Sequence, residues 1–171
     1  MARVIQLTKG KVAIVDDDDY VALAAFKWRA HQNRCKRIYY AARASQVSGV
    51  RRMVLMHRVI MGAKPGQMID HRDGNGLNNR RSNLRFTTQS GNSGNSIKRL
   101  YFRGRLCTSK FKGVSRCRSK SNPWRATITA RGAYQAIGSF ATELEAAIAY
   151  DAAARKHFGD FAKLNFPGCA K

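Results

Sequence analysis

Between Val4 and about Arg52, short apolar runs alternate with polar turns: Val12-Ala13-Ile14-Val15, then Trp28-Arg29-Ala30, then Ile38-Tyr39-Tyr40-Ala41-Ala42. These runs are rich in β-branched and aromatic residues and predict strands. The acidic run Asp16-Asp17-Asp18-Asp19 follows the first of them. Four adjacent carboxylates at a strand end do not all point one way, so the run reads as a solvated turn or helix start capping Tyr20 to Phe26. Further along, Met68 and Ile69 follow a Pro65-Gly66 turn and predict a short strand from Gln67 to His71. Leu84 to Thr88 predicts a returning strand with Leu84 and Phe86 on one face. Between the two, Asp73-Gly74 and Asn75-Gly76 are turn dipeptides that tolerate positive φ. Gln89 to Ser96 opens a short helix, weak by propensity because of Gly91 and Gly94.

Beyond about Ser109 the pattern changes. Phe111 to Val114, Trp124 to Thr129 and Tyr134 to Gly138 predict three strands. The second alternates Trp124, Ala126 and Ile128 against Arg125, Thr127 and Thr129. A helix follows, with Thr142 as N-cap, Glu145 completing a capping box and Gly159 near its end. An alanine stripe (Ala146, Ala149 and Ala153, with Ala147 and Ala154 beside it) lets the helix lie close on the apolar sheet face. The opposite face, basic, is left open. The expectation is an α+β chain: a β-rich region over 1–52, a strand–loop–strand–helix segment over 53–96, a basic linker over 97–108 and a three-stranded antiparallel sheet on one helix over 109–167.

Charge narrows the partners. The 171 residues carry 32 Lys and Arg against ten acids, a formal charge of +22, and such a field attracts polyanions. A membrane surface is the rival polyanion, but no apolar run approaches the roughly 20 residues that span a bilayer. The first ten residues lack a long apolar core with a small-residue cleavage site, which argues against export. Cys35, Cys107, Cys117 and Cys169 are scattered without a Cys-x-x-Cys pair, so they read as ordinary thiols and no zinc is expected. Nucleic acid becomes the leading partner.

The candidate chemistry sits in the middle of the chain. Asp70 and His71 end the first strand of the segment, Asn83 opens the second, and Asn92 falls in the helix. A carboxylate, an imidazole and carboxamides at the ends of short elements suit one hard divalent ion, which prefers oxygen ligands and keeps several waters. In a strongly basic chain, the natural substrate of such a site is a phosphodiester. Arg72, Arg80, Arg81 and Arg85 stand where they could clamp phosphates.

The series His57-Arg58-Val59-Ile60, Ile69-Asp70-His71-Arg72-Asp73-Gly74-Asn75, Asn83-Leu84-Arg85, Asn92 and Asn95 resembles the HNH endonucleases of the ββα-metal class, in the branch of phage-borne homing enzymes. The resemblance implies His71 as general base, Asn83 as the brace of the loop, and Asp70 with Asn92 as ligands of one Mg²⁺ or Mn²⁺. Asn95 is the alternative to Asn92. His57 either packs or touches the site or DNA. The C-terminal pattern, about 57 residues, resembles the AP2 DNA-binding domain, through Phe111-Lys112-Gly113-Val114, Trp124-Arg125-Ala126, Ile137-Gly138-Ser139-Phe140, Glu145 to Asp151 and Leu164 to Pro167. That resemblance implies a sheet facing DNA through Lys112, Ser115, Arg125, Thr127, Thr129 and Tyr134, with Arg116 and Arg118 nearby on the first hairpin. Ala136 stands where plant members have Trp, and Ser115 and Cys117 replace arginines, so base preference does not transfer. Together the resemblances imply a divalent-metal-dependent homing endonuclease of double-stranded DNA in the cytoplasm of a bacterial host, monomeric or homodimeric. Two other classes remain open at this point: a DNA-binding regulator without nuclease activity, and a basic RNA-binding protein of ribosomal type.

Overall fold

A computed structural model describes residues 1–33, 38–47, 49–96, 101–102 and 105–168. The architecture is mixed, with five small antiparallel sheets and four α-helices among the described residues. The chain divides into two compact units, Met1–Thr87 and Thr88–Lys171.

The first unit begins with a hairpin of β1 (Ala2–Gln6) and β2 (Val12–Asp16). Period-2 alternation buries Ala13 and Val15 and turns Val12 outward. Helix α1 (Asp17–Ala24) follows directly, with Asp17, Asp18 and Asp19 in its first turn, where negative charge complements the helix dipole. The expected capping is not made. The Asp16 side chain forms no cap hydrogen bond; it accepts instead from Arg80 Nε at 3.0 Å and from the Arg81 N–H at 2.8 Å. Asp19 takes both Nε and an Nη of Arg81, at 2.9 and 2.7 Å.

The strands β3 (Arg29–Asn33), β4 (Ile38–Val47) and β5 (Val50–Leu55) form an antiparallel meander in that order, leading into the short helix α2 (Met56–Ile60). Next come β6 (Met68–His71) and β7 (Leu84–Thr87), paired antiparallel, with a 3-10 turn at Arg81–Asn83 before β7. One core joins these elements: Ile5, Ala13, Val15, Leu23, Trp28, Ala41, Met56 and Leu84 are among its buried residues. The Trp28 indole N–H is satisfied by the Leu23 carbonyl at 2.8 Å. Along β7, Leu84 is buried while Phe86, two residues on, is exposed.

In the second unit α3 (Gln89–Gly94) is capped by the Thr88 hydroxyl, which accepts from the Gly91 N–H. A small hairpin, β8 (Tyr101–Phe102) with β9 (Arg105–Leu106), falls inside the stretch expected to be a plain linker. The strands β10 (Val114–Arg116), β11 (Trp124–Ala130) and β12 (Ala133–Phe140) form an antiparallel sheet in sequence order. The register shifts between Ala126 and Thr127, which makes Ile137 the extra residue of a bulge. Helix α4 (Glu143–Phe158) carries the full capping box of Thr142 and Glu145 and ends at Gly159, whose φ is 51°. Its buried stripe runs Ala147, Tyr150, Asp151, Ala154 and Phe158, with Ala146 beside it. Ala149 and Ala153 sit at its edge, half-buried. Val114, Ala126 and Ile128 from the sheet share a core with this stripe. Gly113 is obligatory: at φ +75° a Cβ would fall 1.9 Å from the Tyr150 ring. Cys107 and Cys117 are free thiols, while Cys35 and Cys169 lie outside the described residues. Among the described residues no helix is long and apolar enough to cross a membrane.

Candidate active site

The first unit brings Asp70, His71 and Asn83 together. Asp70 and His71 are the last residues of β6 and pair in register with Arg85 and Leu84 of β7. All four are buried. The chain then leaves β6 into a loop built almost wholly from its own polar side chains. The Gly74 N–H donates to the His71 carbonyl at 2.9 Å. Asp73 Oδ1 accepts from the Asn75 N–H at 2.8 Å, and Asn75 Oδ1 from the Leu77 N–H at 3.1 Å, the local turns that Asx side chains favour.

Asn83 closes this loop with three side-chain hydrogen bonds. Its carbonyl accepts from the Asp73 N–H at 3.1 Å, and its amide donates to Asp73 Oδ1 at 3.0 Å and to the Asn78 carbonyl at 2.8 Å. Its backbone carbonyl also accepts from the Arg72 N–H, at 2.9 Å, next to His71. Hydrogen bonds donated by the Asn78 side chain, the Asn75 backbone and the Asn83 side chain outweigh burial and hold the Asp73 carboxyl below the usual range.

The glycine expectation needs one correction. Gly74 has φ +78°, as its turn demands, but Gly76 does not need a left-handed backbone. A Cβ there would lie 2.5 Å from the Tyr39 carbonyl and 2.6 Å from the Tyr40 ring. Gly76 is glycine because β4 passes too close for any side chain.

Around His71 stand Asn79 and Tyr40, which the motif reading did not single out, and His57, for which it left packing or contact with the site open. Asn79, fully buried, presents Oδ1 3.3 Å from His71 Nε2. The Asn79 amide is oriented by its Nδ2 bond to the Leu77 carbonyl at 3.2 Å. A His71 tautomer protonated at Nε2 donates to that oxygen and keeps its lone pair on Nδ1. His57 stacks edge-on against His71 with centroids 5.1 Å apart, and Tyr40 lies 5.5 and 5.8 Å from the two rings. Burial lowers the His71 pKa below its ordinary value, against the opposing pull of Asn79, Asp73 and Asp70. Burial, with His71 and Arg58, pushes His57 down to about 3. Both imidazoles are therefore neutral at physiological pH. No sequence signal pointed to Asn79 or Tyr40, because their partners come from distant elements.

Asp70 is not alone in its pocket. Arg85 Nε and Nη2 both reach its Oδ2, at 3.1 and 2.9 Å. Arg80, Arg81 and Arg85, expected as phosphate clamps, are thus engaged with Asp16, Asp19 and Asp70. Arg72 stays on the surface. Among the described residues no three His, Cys, Asp or Glu side chains gather into a metal-binding group.

The comparisons with known proteins bear on this geometry. An HNH endonuclease family matches residues 54–93, from the end of β5 through β6, the loop and β7 into α3. An uncharacterized HNH endonuclease of Acanthamoeba polyphaga mimivirus is 30% identical over 163 residues, which cover 92% of this chain and 76% of that protein. The chain belongs to the HNH endonucleases. It is a DNA endonuclease, and the buried Asp70-His71 corner with its Asn83-pinned loop lies inside the matched segment of this HNH enzyme.

The remaining candidates of this HNH endonuclease belong to the second unit. Asn92 lies on α3, half-buried, and Asn95 is its buried C-cap. On the sheet, Ser115 pairs with Arg125 and Thr129 with Tyr134, so these side chains share the face that α4 does not cover. All four are exposed, and Thr127 on the same strand face is half-buried. Arg116 pairs instead with Trp124, its guanidinium 5.8 Å over that ring, and Arg118 is exposed beyond the strand. Lys112 is set apart from the exposed row. It is half-buried, and its Nζ lies 2.5 Å from the Gly94 carbonyl at the end of α3. Burial, with Lys163 nearby, lowers its pKa to about 8.

Proposed function

We propose that this HNH endonuclease is a divalent-metal-dependent, homing-type nicking enzyme. In this reading neutral His71 takes a proton from the water that attacks the scissile phosphodiester. Asn83 and Asn79 are positioning residues: Asn83 keeps the loop closed and Asn79 selects the His71 tautomer. Asp70 supplies a carboxylate ligand, and the resemblance gives the second ligand to Asn92, with Asn95 as alternative. Carboxylate and carboxamide oxygens are hard donors, so the residues fit Mg²⁺ or Mn²⁺ rather than a thiolate-bound ion. When bound, such an ion neutralises charge that develops on the phosphate and the leaving oxygen. Arg85 balances the buried Asp70 carboxylate, which would otherwise lie uncompensated between β6 and β7.

The second unit acts as the DNA reader, an AP2-like sheet and helix that meets duplex DNA with Ser115, Arg125, Thr127, Thr129 and Tyr134. Arg116 and Arg118 sit at its margin. The open polar face opposite α4 and the net charge of +22 support this part of the reading. A single site cuts one strand, so a double-strand break needs a second copy or a second event. The homing role, in a phage and its bacterial host's cytoplasm, rests on the resemblance.

The observation that carries the proposal is the neutral, buried His71 held beside Asp70 by a loop that Asn83 fastens at three points. The test is conversion of supercoiled plasmid to open circle, with the gene's flanking DNA as insert. We expect nicking with Mg²⁺, none with EDTA and none with His71→Ala, leaving 5′-phosphate and 3′-hydroxyl ends. Undiminished nicking by His71→Ala would remove the proposed base.

A further inference from the structure

Strand β10 pairs with β11 as far as Ala126 and the Gly113 carbonyl before it accepts the Thr127 N–H at 2.8 Å, so the edge of β11 is not covered by this strand from Ile128 onward. A cleft of about 890 Å³ opens there, between that edge and α3. Its floor is apolar, with Ile128, Tyr150 and Phe158, and its rim carries Ser90 and Thr129 with the cations Lys112 and Arg131; the Ser93 and Thr127 hydroxyls beside them donate to the Gln89 and Gly113 carbonyls. None of the described residues that line it is acidic. Hydroxyls and cations without a carboxylate are the groups that proteins turn toward phosphate oxygens.

Arg131 adds an independent observation. It is the first residue of the two-residue turn joining β11 to β12, with φ 51°, and Gly132 follows at φ 81°. Two successive positive φ values define a turn that favours Asn, Asp or Gly at its first position. Arginine there is held in a conformation that costs an ordinary side chain about 1 kcal/mol or more. Lys9 shares this backbone conformation, but its ammonium lies against the Tyr39 ring, 5.9 Å from the centroid. Among the described residues Arg131 makes no hydrogen bond or ion pair, and it is exposed at the cleft.

We infer that this cleft is a groove for the sugar–phosphate backbone of one DNA strand, with Arg131 as its phosphate clamp. The groove adjoins the Arg125 face of the sheet at Thr127 and Thr129, and Arg131 is the cation that belongs to the groove and not to that face. The inference rests on the assignment as a DNA endonuclease and not on the AP2-like reading. The unfavoured turn residue is retained because its side chain serves binding rather than the hairpin.

The test follows from that conflict. Affinity for a labelled 30-base-pair duplex is measured by anisotropy in EDTA over a range of salt, for wild type and for Arg131→Asn, Arg125→Gln and Lys156→Gln. Asparagine suits the turn, so Arg131→Asn should keep or raise the melting temperature. Its affinity should fall about tenfold, the scale of one charged hydrogen bond. The slope of log K against log salt should drop by about 0.9, one phosphate contact. Lys156, exposed on α4, reports the effect of net charge alone. If Arg131→Asn binds like wild type, or loses no more than Lys156→Gln, the groove is refuted. Arg125→Gln tests the sheet face separately, so either site can fail without the other, and plasmid nicking by wild type stands apart from both.

Discussion

Asn83 is the residue whose removal tests whether the frame of the proposed site can be separated from its chemistry. Replacing it by alanine deletes one bond accepted from the Asp73 N–H, one donated to the Asp73 carboxylate and one donated to the Asn78 carbonyl. Neutral bonds contribute about 1 kcal/mol net and charged ones about 2, so the three sum to about 4 kcal/mol. Water reaches the exposed Asp73 side of the loop and recovers part of this, which leaves about 2–3 kcal/mol. In a unit spanning Met1–Thr87, that corresponds to a melting temperature lower by roughly 10–20 °C. Nicking should fall by about 100-fold at temperatures where the variant is still folded, because a loop displaced by about 1 Å misplaces the base. Nonspecific DNA affinity in EDTA should not change, since Asn83 is buried. Asn83→Asp sharpens the test. It keeps the acceptor for the Asp73 N–H but sets a second carboxylate about 3 Å from Asp73 Oδ1, so at neutral pH it should be no better than alanine. Nicking within threefold of wild type, with melting shifted by less than about 2 °C, would refute the idea that this side chain holds the loop.

Acid should loosen the first unit through its buried imidazoles. His57 is depressed to about 3 when folded and titrates near 6.5 when unfolded, so between those values the unfolded chain binds the extra proton. Stability is complete above about pH 6.5 and is lost as pH falls, by about 2 kcal/mol from pH 7 to 5 for this group, with His71 adding in the same direction. Urea unfolding at the two pH values measures the loss, and His57→Gln should flatten it; equal stability at both would contradict the burial argument. In the second unit, Asp151 accepts from the Asn165 N–H, the Asn165 amide and the Phe166 N–H. Asp151→Ala should cost about 3–4 kcal/mol by stranding those donors, read as a lower melting temperature and faster hydrogen exchange around Asn165. Unchanged exchange there would mean that water replaces the carboxylate.

Much of this was legible because it is local. The spacing of apolar residues located β6, β7, β11 and β12, and the capping box fixed the start of α4, since each depends on neighbours a few residues away; the first sheet strand, expected at Phe111 to Val114, lies instead at Val114–Arg116, after the turn at Gly113. Asp70, His71 and Asn83 fall together because a short antiparallel pair with one loop brings them there. What escaped depends on partners far along the chain. Nothing in the local sequence says that Tyr40 on β4 leans over His71, or that Asn79 meets its ring. Arg80, Arg81 and Arg85 looked like surface cations, but the few acids of the chain include Asp16, Asp19 and Asp70, which take them. Lys112 reads as a strand residue facing outward until the C-terminus of α3 arrives beside its ammonium. Gly76 shows the same limit, because its reason is the path of β4 and not its own turn.

The loop between β6 and β7 is stitched to the beginning of the chain. Ile14 of β2 donates its N–H to the Leu77 carbonyl at 2.9 Å and accepts from the Asn79 N–H at 2.7 Å, and Asp16 and Asp19 fasten the loop's exit through Arg80 and Arg81. The family match begins only at residue 54. Portability of the nuclease is therefore wider than its signature: a graft that starts at the matched segment carries Asp70, His71 and Asn83 but leaves behind the backbone that orients Asn79. A transplant meant to cut must bring β1 and β2 with it.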